Sequence, residues 1–489
     1  LGLKKDYRQS LIKLAKQRIK EKEYPDAIKF LKEALAIKDD KNTKIILARI
    51  LELAGNINNA LSTYKELHSE DEKDPFYLLK IGILEERLGN KKEAEKYFRK
   101  SVKIAKGKIK AQAIYSLGYL LIRKNKLDEA AGLISYFKKE EKELPLHLKY
   151  IEGRILCGQG EFNKALEIVE EELKKELTPE MSRHFFTLGG LIKLQSENCL
   201  EALKYFQECI DIAKEEKDIM HEGTFKDYKA ICFLKLDKYK ESIEEFEEAI
   251  LLMKKLKIGN EEYHCLGNLC DVYLRIGYWE KLKCRIEDFK KRYGKIHPFL
   301  MEKLLYSKLY KGEWNGIEEI YHKLEKEDYD LSYYFSDTGG ILFTFKKEWK
   351  KAEKVFKIFD KKIVGYPEKK RTNSCGHSEV LYEQGKTKEA IDTLKPYKEQ
   401  INSIQSDFEK GKVLATWGLI NSDVKSIDKA IGYFSKIGLP FYTAQAQLKK
   451  ARVLIKENKI DEAIDELKKA EEVFRKLKAG FFIEKTNEL

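Results

Sequence analysis

Proline is rare in this chain, 8 in 489 residues, so little interrupts helices. Continuous apolar runs are short as well. None reaches the roughly 18 residues of a membrane-spanning helix, and no secretory signal is visible at the start. The eight cysteines (Cys157, Cys199, Cys209, Cys232, Cys265, Cys270, Cys284 and Cys375) contain no C-x-x-C and no regular pairing. That argues against a disulfide framework and for a reducing cytoplasm. Several fall in apolar helical patterns, where a thiol packs as a small hydrophobe. Charge of a single sign is missing too. The 95 basic and 82 acidic residues are interspersed, and the net +13 reads as a salt-bridged helix surface. Nucleic-acid binding needs the excess gathered on one face. The densest basic runs, Lys290-Lys291-Arg292 and Lys369-Lys370-Arg371, are short and far apart; they argue against it without closing the question. With 36% charged and 43% apolar residues, the composition is that of a water-soluble, mostly helical protein.

One pattern dominates what is present. An alanine recurs at Ala27, Ala60, Ala94, Ala130, Ala165 and Ala202, then at Ala352, Ala390, Ala430 and Ala463. Ser242, Leu282 and Ile317 hold the same place in the middle of the series, which gives 13 units spaced 33 to 40 residues apart. A large apolar residue follows four positions after each marker, as Phe98 follows Ala94. Twelve positions before it a small residue recurs, among them Ala15, Gly82, Gly190, Gly340, Gly418 and Ala451; Leu305 departs, and Cys270 slightly. Around Ala94, Leu78, Ile81, Gly82 and Leu84 recur at helical spacing, the turn Leu88-Gly89-Asn90-Lys91 follows, and Ala94, Phe98 and Val102 come four apart. Each unit is thus predicted to be helix, tight turn, helix.

Antiparallel helices approach closely only where side chains are small, and the large residue then fills space toward neighbouring helices. Gly55, Gly89 and Gly385 are expected to take the left-handed conformation that ends a helix. Tyr24, Phe162, Tyr239, Trp279, Trp314 and Trp349, three before the marker, are expected to cover the hairpin tips. The bulky Leu282 and Ile317 predict a splayed hairpin or a bend. A fixed period of this size marks stacked hairpins rather than a closed enzyme domain.

On these residues the chain resembles tetratricopeptide repeats across nearly its whole length, best around Ala27, Ala94, Ala165, Ala202 and Ala463. The resemblance implies an all-α, right-handed α-solenoid of about 13 tetratricopeptide-like hairpins. It would run as one superhelix over 1–489, bent or subdivided near 260–330. The longer spacings exceed the family's usual length of about 34 residues. They resemble the repeats of regulatory proteins, and Gly438-Leu439-Pro440 through Gly480 is similar to the helical-repeat region of signal-transduction ATPase regulators.

Catalytic signatures are wanting. Gly385-Lys386-Thr387 ends like a phosphate-binding loop, but Val380 stands where the first glycine belongs and no strand precedes it; a hairpin turn is expected. Cys375-Gly376-His377 and His264-Cys265 with Cys270 lack the three or four convergent ligands of a zinc site. Glu244-Glu245 and Glu247-Glu248 lie among lysines, as on a solvated helix surface. No enzymatic activity, metal or cofactor is expected.

The resemblance further implies a concave groove lined by the first helix of each hairpin. In units two to five its places include Arg49, Arg87, Tyr115, Tyr119, Arg123, Tyr150 and Arg154. Arginine can clamp a carboxylate through two parallel hydrogen bonds, and tyrosine is enriched among residues that dominate binding energy. The expected partner is a protein or peptide, acidic or ending in a free carboxylate, with no membrane involved. The competing reading has the same arginines paired with Glu52 and Glu86 on neighbouring helices. The chain begins at Leu1 without a methionine and carries long repeats. The function expected is therefore an interaction scaffold or sensor module within a larger regulatory protein. The alternative is a free-standing adaptor or chaperone-like peptide binder.

Overall fold

The computed structural model describes residues 2–256, 259–326, 335–363 and 367–489. Among the described residues there are 27 α-helices and no β-strand. The first 26 pair into 13 hairpins, in two compact units, Leu1–Glu176 and Leu177–Leu489. In the first unit α1 (Gly2–Lys20) pairs with α2 (Tyr24–Ile37), α3 (Lys41–Leu53) with α4 (Ile57–Glu70), α5 (Pro75–Arg87) with α6 (Lys91–Ile104), α7 (Gly107–Arg123) with α8 (Leu127–Glu140), and α9 (Leu146–Gly158) with α10 (Phe162–Leu173). The second unit pairs α11 (Pro179–Gln195) with α12 (Cys199–Glu215), α13 (Ile219–Lys235) with α14 (Tyr239–Leu256), α15 (Gly259–Ile276) with α16 (Trp279–Tyr293), and α17 (Pro298–Lys311) with α18 (Ile317–Lys326). It continues with α19 (Phe335–Phe345) and α20 (Trp349–Lys362), α21 (Pro367–Glu383) and α22 (Thr387–Glu399), α23 (Asp407–Asn421) and α24 (Val424–Lys436), α25 (Pro440–Lys456) and α26 (Ile460–Leu477). A final helix, α27 (Gly480–Asn487), follows.

The marker alanines are buried where the two helices of a hairpin meet. Ser242 takes the place by donating its hydroxyl to the carbonyl of Ala230, twelve residues earlier, at 2.9 Å. In three hairpins the large residue does more than reach toward neighbours: it lies over the small residue of its own hairpin. A Cβ on Gly82 would stand 2.6 Å from the Phe98 ring, one on Gly190 2.5 Å from Phe206, and one on Gly340 2.6 Å from Phe356. Four residues make about one helical turn, so both markers face the same way. Leu282 and Ile317 are buried as well. Their hairpins approach less closely than α13–α14, yet α7–α8, with Gly118 and Ala130, is just as open. Side-chain bulk alone does not set the spacing.

Gly55, Gly89 and Gly385 are left-handed as expected, at φ 74°, 85° and 77°. In twelve hairpins the left-handed residue stands five before the marker; besides the glycines it is Lys22, Asn125, Glu197, Asp237, Lys347 or Asn458. The thirteenth corrects the sequence reading. In α23–α24 that residue is Ser422, so the marker is Ile427 and not Ala430, and a Cβ on Gly418 would stand 2.4 Å from Ile427. Ala430 lies about one turn further along α24, also fully buried, and mimics the pattern.

The second unit is wound so that its first three tips each meet the start of the hairpin five further on, and the fourth meets α27. Glu197 accepts from Arg371 Nη1 at 3.1 Å. Asp237 accepts from the Ser406 hydroxyl at 3.1 Å and the Phe408 amide at 3.2 Å. Trp279 packs on Phe441 at 5.1 Å between ring centroids, and Trp314 on Phe481 at 6.2 Å. Trp279 thus covers a returning hairpin and Trp314 the final helix. Phe481 and Phe482 of α27 complete this seam, Phe481 stacked on Phe345 at 4.1 Å and Phe482 against Tyr310, Phe441 and Phe474.

Candidate functional site

In the first unit, successive first helices bring five of the seven predicted groove residues together. Tyr115, Tyr119 and Arg123 stand one turn apart on one face of α7, a spacing that aligns side chains. The two tyrosine rings stack, with centroids 6.5 Å apart. Tyr150 and Arg154 repeat that spacing on α9. The Arg154 guanidinium lies 5.7 Å from the Tyr119 ring and 5.8 Å from the Tyr150 ring, and its Nη1 donates to the Tyr150 hydroxyl at 2.9 Å. Arg123 approaches Glu86 of α5 to 3.9 Å. The remaining two lie apart. Arg49 on α3 rests over the Phe76 ring at 5.6 Å, and Arg87 ends α5, exposed and without an ion pair among the described residues.

The competing pairing holds only in part. Glu52 takes Lys80, at 3.1 Å, rather than Arg49. The Arg123–Glu86 pair is long, and Arg123 is 52% exposed, a geometry worth at most about 1 kcal/mol. Burial pushes the Glu86 carboxyl above its ordinary range against the pull of Arg123. Arg123 is therefore held loosely enough to turn toward another anion.

The sequence reading missed two rings at this surface. His147 stands edge-on to Tyr115 at 5.7 Å. Burial lowers its pKa, which keeps the imidazole neutral at pH 7, and its buried Nε2 has no hydrogen-bond partner among the described residues. Phe76 and His147 hold the same place, eighteen before Ala94 and Ala165, so the repeat register carried the signal. Arginine over aromatic faces, beside a polar rim, is an arrangement that grips a carboxylate and packs an apolar side chain at once.

In the second unit the first helices spend their polar groups on one another. Asn268 donates to both Asp227 oxygens at 3.1 and 3.0 Å, and burial pushes the Asp227 carboxyl up to about 6. Lys303 pairs with Asp271 at 2.8 Å. Thr338 donates to Glu302, and Thr416 to Glu379, both at 2.6 Å. The arginines of the two basic runs are structural. Arg371 donates to Glu409 at 2.6 Å as well as to Glu197, and Arg292 clamps the fully buried Glu262 at 2.7 and 2.6 Å.

No disulfide joins any of the eight cysteines, and only Cys284 is exposed. Burial pushes the thiols of Cys157, Cys199 and Cys375 up to about 11 and that of Cys209 to about 12, which keeps them protonated and poorly nucleophilic. Gly385 and Lys386 form a hairpin turn, with Lys386 at the residue before α22. No helix among the described residues is long and apolar enough to cross a membrane.

The tetratricopeptide-repeat family matches residues 77–108. The family of anaphase-promoting complex subunit 5 matches residues 2–61 and 180–221. No curated protein sequence matches the chain. Among solved structures, the APC/C hetero-tetramer Cut9–Hcn1 is similar over 95% of this chain and 87% of its own, at 12% identity and a TM-score of 0.55. A Rap protein complexed with competence and sporulation factor is similar over 75% of this chain and 98% of its own, at 12% identity and a TM-score of 0.40. A signal-transduction ATPase with numerous domains from Pyrococcus horikoshii, bearing a tetratricopeptide-repeat sensor, is similar over 66% of this chain and 53% of its own, at 17% identity and a TM-score of 0.46.

Proposed function

We propose that this chain, an all-α solenoid of tetratricopeptide-type repeats, is a cytoplasmic protein-interaction scaffold or sensor module of a larger regulator. It holds an acidic or C-terminal peptide against Tyr115, Tyr119, Arg123, Tyr150 and Arg154. The observation that carries this reading is the cluster itself: Arg154 set between two tyrosine rings, with the loosely held Arg123 one turn beyond Tyr119. Arg49 and Arg87, on earlier first helices, extend the same basic character toward α3. The fold supports the reading in kind, since the similar Cut9–Hcn1 chain was solved within a hetero-tetramer. Binding here is by shape and charge, with no bond made or broken.

The test is a fluorescence anisotropy titration with a labelled acidic peptide bearing a free C-terminal carboxylate. Arg123→Glu together with Arg154→Glu is expected to weaken binding roughly 10- to 100-fold, the worth of one to two charge-assisted hydrogen bonds. Affinity untouched by the double reversal sinks the assignment.

A further inference from the structure

Helix α20 gathers lysine on one face. A lysine or arginine on a helix of this protein commonly pairs with a carboxylate three or four residues away, as Lys175 with Glu171, Arg475 with Glu471 and Lys476 with Glu472. Of the four lysines on this face of α20 only Lys357 does so among the described residues, with Glu353. On α20, Lys350, Lys354, Lys357 and Lys361 follow one another at steps of four, three and four. That spacing puts all four on one face, where like charges repel and weaken the helix. Together with Gln384 and Lys386 from the next hairpin tip, they line an open hollow of about 510 Å³ that also includes Glu353 and Ile358. Five lysines against one glutamate leave the lining at +4 (5 − 1).

Glu353 cannot serve the remaining lysines. It is 9% exposed and accepts from Lys357 at 2.6 Å and from Gln384 and Lys386 at 2.8 Å each. Lys357, Lys386 and Gln384 hold its carboxyl down to about 2. Lys350, Lys354 and Lys361 are exposed and form no ion pair with any described residue. The hollow therefore presents three uncommitted cations in a row beside a neutralised floor.

We infer that this hollow docks an extended, acidic segment of a partner protein, rich in Asp and Glu. An extended strand puts every second side chain on one face, about 6.6 Å apart. Lys350 and Lys354 are about 6 Å apart along the helix axis and Lys354 and Lys361 about 10.5 Å, so about six residues of extended chain span the three cations. No aromatic residue lines the hollow, so nucleic-acid bases have no platform to stack on. No arginine lines it either, so a single phosphate finds no two-pronged clamp. Flexible ammonium point charges suit a row of separate carboxylates. This surface lies in the second unit and is independent of the Tyr–Arg cluster.

The experiment is anisotropy at low salt with two fluorescein-labelled peptides of equal length. One is a Glu/Ser peptide; the other has Gln in place of every Glu. The acidic peptide is expected to bind at least roughly tenfold tighter than the Gln peptide, and Lys354→Glu with Lys361→Glu to weaken it by more than about tenfold. The titrations are run with Arg123→Glu and Arg154→Glu in place, because the Tyr–Arg cluster is itself proposed to take acidic peptides, so the loss read is that of the hollow. Circular dichroism melts guard against misfolding, and Lys354→Gln with Lys361→Gln is the milder variant, expected to lose part of the affinity. Equal affinity for both peptides, indifference to both lysine variants, or tighter binding of a single-stranded oligonucleotide than of the acidic peptide overturns the proposal.

Discussion

Each hairpin tip needs one residue in the left-handed region, and at seven of thirteen tips it is not glycine. Such a residue costs about 1 kcal/mol or more in backbone strain. At Glu197 and Asp237 the side chain is the compensation, since each carboxylate ties its tip to a helix of the hairpin five further on. Asp237→Gly should therefore relax the backbone and still lose roughly 1–2 kcal/mol, because the Phe408 amide and Ser406 hydroxyl lose their acceptor. Asn458→Gly, at a tip whose side chain has no described partner, should gain up to about 1 kcal/mol. Native-state hydrogen exchange of the flanking amides measures both, and a gain at Asp237 would contradict this account. The glycine tips were legible because glycine announces a positive φ by itself. Glu197 and Asp237 were not, because the contact that retains them comes from a residue some 170 positions later. The same limit misplaced the marker of α24: Ala430 has the expected residue type, while Ile427 has the expected position.

For whole helices, the recurrent small and large positions were readable, since they repeat from unit to unit; that the large residue lies over the small one of its own hairpin was not, because the sequence alone sends it toward neighbouring helices. Helix α27 was not, because it belongs to no repeat and is held by tertiary packing. Its first residue decides whether it docks. A Cβ on Gly480 would stand 2.4 Å from the Lys311 carbonyl oxygen, and a backbone oxygen cannot swing aside. Gly480→Ala is expected to cost roughly 1–3 kcal/mol as a small-to-large clash, lifting Phe481 and Phe482 off Phe345, Tyr310 and Phe441. Binding of a hydrophobic dye should rise and exchange in Gly480–Asn487 should accelerate. Unaltered protection would show that α27 slides without loss. The lysine row of α20 also escaped the sequence reading. Its spacing is visible in the chain, but only the folded tip at Gln384 and Lys386 turns it into a hollow.

Over the whole molecule, acid should loosen the fold through its buried imidazoles. Burial lowers the pKa of His147, His264, His297 and His377, His297 to about 4 with the nearby His264 adding to the effect. The unfolded chain, with imidazoles near 6.5, takes up more protons below that pH. Their contribution to stability is thus complete above about pH 6.5 and is lost as pH falls toward 4. Asp227, raised to about 6 by burial, works in the opposite direction, its share being lost as pH rises through 6. Glu95 and Glu353, held near 2 by their cationic partners, begin to lose theirs only below about pH 4.5. The midpoint of thermal melting should fall between pH 7 and 4.5. It should fall less in His297→Asn, which keeps an acceptor for the Phe299 amide that His297 caps at 3.2 Å. Parallel pH profiles for both proteins would remove His297 from this account. At this scale the sequence carried the hairpin count and the nearness of Tyr115, Tyr119, Arg123, Tyr150 and Arg154 on α7 and α9, both built from neighbours. The seam stayed hidden, because nothing in a repeat period states how many repeats complete a turn.

The seam also sets an order of events during synthesis. Hairpins tied only to adjacent hairpins can assemble as they leave the ribosome, since each loop to be closed is short. Asp237 must wait for residues 169 and 171 positions further on, and Trp279 waits for Phe441. Throughout that delay an indole and unsatisfied tips stand open to misassociation. The second unit therefore has a vulnerable interval in translation, and a pause or truncation before α25 leaves a chain whose early helices are made but cannot close.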